Sequence, residues 1–86
     1  MSIIRYQRKP EVLQLSGISN STLHIRINQG LFVPPVNLGA RAVGFLEHEV
    51  HQILVARAQG KSNDEIKKIV KRLIQERETL AKAGGA

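Results

Sequence analysis

The sequence predicts a mainly α-helical fold with a small β-hairpin. Three observations carry that expectation: two short helical segments parted by a Ser16-Gly17 turn, a proline-interrupted alternating stretch from 31 to 46, and two longer helical patterns after residue 46. Eighty-six residues make one domain, near the size at which about 60% of the unfolded chain's surface can be buried, so one small core is the limit. Apolar residues are 42% of the chain, but its aromatics are only Tyr6, Phe32 and Phe45, so the core must be built mainly from Ile, Leu and Val.

Residues 2 to 7 alternate apolar and polar positions over too short a run to classify, as a brief strand or an ordered arm. Pro10 followed by Glu11 is a helix start, and Val12, Leu13 and Leu15 give a first helix of about residues 9 to 16. Ser16 and Gly17 end it, Ile18 supplies an apolar plug, and Ser19 or Asn20 can cap a second helix with a side-chain oxygen. That helix should run from Ser19 to Gln29 and close at Gly30, a natural left-handed cap. A helix-turn-helix fits this order.

At 100° per residue, an inward face centred on Leu23 and Ile27 puts Ser21, Ile25 and Asn28 on the opposite side, with Thr22, His24 and Gln29 flanking. Ser, Thr, Asn, Gln and His hydrogen-bond to base edges or phosphates, and the small ones let the backbone approach a groove floor. Ile25 has two readings: contact with a thymine methyl, or a rotated helix that partly buries it.

Between Leu31 and Leu46, Pro34-Pro35 breaks any helix, Val36 and Leu38 alternate with Asn37, and Gly39-Ala40-Arg41 separates them from Val43, Phe45 and Leu46. The resulting hairpin extends the prediction to a winged helix-turn-helix, in which Arg41 at the wing tip contacts phosphate or stands as an exposed turn arginine. A third helix is expected from Glu47 to Gly60, with Val50, Ile53, Leu54 and Arg57-Ala58 on its inward stripe. Ser62-Asn63-Asp64-Glu65 is a capping box for a fourth helix. Ile66, Ile69, Val70, Leu73, Ile74 and Leu80 take one side of it, and Lys67, Lys68, Lys71, Arg72 and Glu78 the rest. The tail from Lys82 to Ala86 should fray. Residues 1–60 thus form the winged helix-turn-helix, and 61–86 an amphipathic helix that either pairs with its counterpart in a homodimer or folds back to complete the core.

Thirteen Lys and Arg against seven Asp and Glu give a formal charge of +6, which favours polyanionic partners. Residues 1–45 hold Arg5, Arg8, Lys9, Arg26 and Arg41 against Glu11 alone, so the bias sits with the second helix. The absence of cysteine excludes a disulfide scaffold and thiolate metal sites. With no secretory signal and no long apolar span, a cytoplasmic, nucleoid-associated location is expected. His48 and His51 lie three apart, whereas the zinc-protease pattern needs four and a further ligand, so Glu47 to His51 reads as a solvated helix face. There is no phosphate-binding glycine loop, and the one Asp, Asp64, sits at a helix start. No enzyme activity, cofactor, metal or small-molecule ligand is expected.

Three stretches carry a family resemblance: Glu11 to Leu23 (EVLQLSGISNSTL), Gly30 to Gly39 (GLFVPPVNLG) and Arg41 to Glu47 (RAVGFLE). Together they resemble the AlpA-type prophage regulators, small proteins of the MerR-like and excisionase-like winged-helix group, over about residues 8 to 58. The resemblance implies a DNA-binding transcriptional regulator of a bacterial mobile element. Within it Asn20, Ser21, Thr22 and His24 match reading-helix positions and Arg41 the basic wing tip. His24 and Ile25 depart from the aromatic and basic residues common there, and Phe45 stands where Trp is frequent. Groove contacts are therefore expected from Asn20, Ser21, Thr22, His24, Ile25 and Asn28, and contacts to the DNA backbone from Arg8, Lys9, Ser19, Arg26 and Arg41. An excisionase-like architectural DNA binder, or a protein-interaction module on the same scaffold, are the alternatives.

Overall fold

The computed structural model describes residues 5–40 and 42–85, with residues 80–85 as helical backbone. The chain runs β1 (Tyr6–Gln7), α1 (Lys9–Ser16), α2 (Asn20–Asn28), β2 (Val36–Gly39), β3 (Ala42–Leu46), α3 (Glu47–Ala58) and α4 (Asn63–Gly85). The fold is mainly α with a small antiparallel sheet, as its sequence predicts.

Local chemistry sets the helix boundaries. Pro10 sits in the first turn of α1, and Gly17 ends that helix in the left-handed region at φ 71°. Ser19 is the cap of α2: its Oγ accepts the Thr22 N–H at 3.2 Å. The α2 chain reverses at Gly30, φ 76°, where the Leu31 N–H reaches back to the Arg26 carbonyl at 2.8 Å and the Gly30 N–H to that of Ile27 at 3.1 Å. The capping box forms at α4, with the Glu65 N–H donating to Ser62 Oγ at 3.2 Å and that hydroxyl donating to Glu65 Oε1 at 3.3 Å.

The sheet order is β1-β3-β2. The hairpin pairs Val36 with Gly44 and Asn37 with Val43, and a bulge follows where the Gly39 N–H donates to Asn37 Oδ1 at 3.0 Å. The segment from 2 to 7 resolves itself as a strand at its described end: Tyr6 and Gln7 pair with Leu46 and Phe45. Gly44 is buried in the central strand, and a Cβ there would stand 2.8 Å from Leu38 Cδ1, so a larger residue would displace the Leu38 side chain.

The core draws from every helix and from the crossing between α2 and the wing. Val12, Leu23, Phe45, Val50 and Ile53 are at its centre, and Leu31, Phe32 and Val33 enter it consecutively. Phe32 meets Phe45 edge to face at 5.8 Å between ring centroids. The apolar stripe of α4 folds back onto this core: Ile66, Val70 and Leu73 are all buried within the same chain. Ile69 is half-buried, and Ile74 stays 40% exposed.

Three expectations change. On α3 the buried stripe is Glu49, Val50, Ile53 and Ala56, with Leu54 packed against the core as expected, whereas Arg57 is half-buried and Ala58 is exposed, because steps of three from Val50 reach Ala56 rather than 57–58. The segment from Glu47 to His51 is not a wholly solvated face, since Glu49 is completely buried. Helical backbone also continues to Gly85, beyond Lys82, helped by the strong helix formers Ala81 and Ala83.

Glu49 is held by Arg77 of α4. Arg77 Nε donates to Glu49 Oε2 at 2.9 Å, Nη2 donates to Oε1 at 2.6 Å, and the same Nη2 donates to the Pro34 carbonyl at 2.8 Å. One guanidinium therefore joins α3, α4 and the segment leading into β2. Removing either partner leaves the other charge without its counter-ion, the costliest way to break such a pair. Arg77→Ala should destabilise the fold by about 3–5 kcal/mol in urea unfolding, and Arg77→Met with Glu49→Leu should recover most of that loss. Equal destabilisation by the single and double variants would contradict this role.

Candidate nucleic-acid interface

Helix α2 presents two chemically different sides. Leu23 is completely buried and Ile27 packs against the core, which fixes the helix rotation. Asn20, Ser21, His24, Asn28 and Gln29 are exposed, and Thr22 is half-buried. Ile25 is 54% exposed, so the helix is not rotated to bury it. The result is an outward ridge of short polar side chains around one β-branched apolar residue.

Cations flank the ridge. Arg8, exposed, occupies the cap position of α1, and Lys9 begins that helix. Lys9 Nζ donates to His24 Nε2 at 3.1 Å, tying the start of α1 to the middle of α2. This bond orders the His24 ring, and no sequence pattern announces it, because the partners are fifteen residues apart. Ser19 has a structural task beyond its predicted one, since its hydroxyl also donates to Thr22 Oγ1 at 2.9 Å. Arg26, half-buried, lies in the last turn of α2, where a cation suits the negative end of the helix dipole. Arg41 falls outside the described residues, between Ala40 and Ala42 of the hairpin.

Arg57 is a residue that the sequence reading placed on the inward stripe for packing alone. It is half-buried, and burial first, then the charge of Arg26, hold its guanidinium below its ordinary pKa. It remains a cation at any physiological pH.

His48 and His51 line a groove with Gln7, Leu15, Glu47, Val50 and Leu54. Among the described residues no group of three or more His, Cys, Asp or Glu could hold a metal ion. Nor, among them, is any helix long and apolar enough to cross a membrane.

Comparison with known proteins bears on the same region. The family described as "Prophage CP4-57 regulatory protein (AlpA)" matches residues 5–57, which takes in β1 through nearly all of α3 and stops short of α4. The chain is also similar to an uncharacterised protein, ORF88, of Enterobacteria phage P4, at 40% identity over 57 residues. That alignment covers 66% of this chain and 65% of the phage protein, so the chain spans just under two thirds of that relative's length. No solved structure matches.

The two sides of α2 should respond oppositely to truncation. Ile25→Ala should leave stability within about 0.5 kcal/mol of the unmodified protein, as exposed positions do. Leu23→Ala should cost about 2–5 kcal/mol. Urea midpoints measured at constant slope check both, and a large loss at Ile25 would mean that the ridge is packed.

Proposed function

The chain belongs to the AlpA family of prophage regulatory proteins, and we propose that it is a sequence-specific DNA-binding transcriptional regulator of a prophage or other integrative element. In this reading α2 enters the major groove. Asn20, Ser21, Thr22, His24, Ile25 and Asn28 face the bases, and Ser19, Arg8, Lys9 and Arg26 meet the sugar-phosphate backbone beside it. Arg41 carries the wing to a neighbouring phosphate.

The observation that carries the reading is the exposed polar ridge of α2 set on a buried aliphatic underside. Apart from His24 and the Ser19–Thr22 pair, none of these groove residues has a side-chain hydrogen bond among the described residues, so their donors and acceptors are free for base edges. Ile25, exposed at the centre, suits a thymine methyl. A formal charge of +6 supplies the electrostatic part of the affinity.

Homodimerisation is part of the same proposal, with a narrower basis. Ile66, Val70 and Leu73 serve the chain's own core, which leaves Ile74 as the exposed large apolar position on the described part of α4. Two copies related by a two-fold axis would read half-sites about 34–36 Å apart. Sedimentation as a monomer at micromolar concentration, with and without duplex, would remove the dimer and leave the single-site reading.

Titration of fluorescent duplexes tests the DNA-binding claim. With roughly 6–10 phosphates neutralised, affinity should fall about 10³–10⁵-fold between about 50 and 200 mM salt. Asn28→Ala and Ser21→Ala should each cost about 1–3 kcal/mol on the preferred sequence and relax discrimination there. Arg41→Ala should instead weaken all duplexes alike. Failure to bind any duplex would favour a protein-interaction module, and a flat salt response would remove the electrostatic part.

A further inference from the structure

We propose that the groove between α3 and α4 docks an acidic segment of a partner protein, one that carries aliphatic side chains beside its carboxylates. None of the residues lining this groove is among those assigned to DNA above, so the two readings succeed or fail separately.

The groove has a volume of about 490 Å³, and Val55, Ala56 and Ile69 give it an apolar lining. On α4 the core takes Ile66, Val70 and Leu73, which leaves Ile69 half-buried at the edge of the stripe. Val55 of α3 is 38% exposed. Both side chains therefore line a surface that another molecule can reach.

The charged lining is one-sided. Lys61, Lys68 and Arg72 stand in the groove against a single acid, Glu65. Lys61 lies 3.6 Å from Glu65 with both side chains exposed, and Lys68 forms no ion pair among the described residues. Arg72 Nη2 donates to Gln52 Oε1 at 2.8 Å, from α4 across to α3, and its Nε lies 3.8 Å from Glu76. Exposed pairs of this kind are weak, so a carboxylate from another chain displaces either acid at little cost. The bond to Gln52 holds the guanidinium at the groove wall, and its Nη1 has no acceptor among the described residues. A held guanidinium with free donors suits a carboxylate.

Charge complementarity selects the occupant. Three cations around an aliphatic floor match a segment with Asp or Glu beside Leu, Ile or Val, laid in the groove as an amphipathic helix is. A nucleic-acid backbone would meet the cations but leave the aliphatic floor unused. A second copy on the same face would set Lys61, Lys68 and Arg72 against their own counterparts, like charge against like.

Selection of displayed random peptides of helix-forming length against the full chain tests this without presupposing the occupant. The selected peptides are titrated by fluorescence anisotropy and mapped by amide chemical shifts. Acids should outnumber Lys and Arg in them, aliphatic residues should recur at helical spacing, and the shifts should centre on Val55, Lys68 and Ile69. Lys68→Glu and Val55→Ser should each weaken the selected peptide about tenfold or more, with urea midpoints and duplex binding unchanged, whereas Lys68→Arg should bind as the unmodified chain does. Peptides without an acidic excess, peptides that map outside the groove, equal binding by Lys68→Glu, or a selection that enriches nothing would each overturn the inference. A duplex salt slope lowered by about 0.9 in Lys68→Glu would make the groove a phosphate contact instead. Concentration-dependent shifts at Val55 and Ile69 without peptide would make it a contact between copies, and either result contradicts a protein partner. Absence of duplex binding by the unmodified chain overturns the DNA reading alone.

Discussion

A buried carboxylate must be answered, and in this fold Arg77 answers Glu49. The carboxylate is wholly enclosed, both its oxygens receive guanidinium N–H donors, and Nη2 also satisfies the Pro34 carbonyl. Arginine suits this position because its planar fork meets two oxygens at once and still has a donor for a third. The consequence reaches beyond the pair. Helix α4 cannot swing away without stranding a charge, and the backbone entering β2 is tied to the same point. Leu31, Phe32 and Val33, just before that point in the chain, are buried in the core. Placement of the wing relative to α3 and α4 depends on this contact.

The rest of the molecule divides cleanly between support and presentation. Leu23 and Ile27 commit one side of α2 to the core, and glycine and serine end groups fix its length. The other side carries short side chains with unused hydrogen-bonding capacity and one exposed isoleucine. A buried and an exposed face are thus made from the same nine residues. Arg8, Lys9 and Arg26 stand at the edges of this surface.

Much of this was legible from the residues. Ser19, Gly30, Ser62 and Pro10 fix helix ends through local hydrogen bonding and backbone preference, so the boundaries of α1, α2 and α4's start follow from neighbours in sequence. The amphipathic spacing of Leu23 and Ile27 likewise gave the outward face, although Ile25 itself admitted two rotations until packing chose one. The pairing of Glu49 with Arg77 was hidden because its partners lie 28 residues apart, and a lone glutamate on a helix ordinarily reads as solvated. Whether α4 turns inward or outward was equally hidden: an apolar stripe specifies that something covers it, not what. Arg57, expected on the inward stripe, is half-buried because the stripe runs through Ala56 instead.

Protection mapping on the DNA upstream of the chain's own gene and of an adjacent integrase gene tests the central claim most directly, since it reports location, spacing and stoichiometry at once. A reading helix on α2 predicts discrete protected segments with major-groove guanines shielded, and loss of that shielding when Ser21 and Asn28 are both replaced by alanine. Protection that persists unchanged in that double variant, or none on any duplex, would contradict the assignment of α2 as the surface that meets DNA.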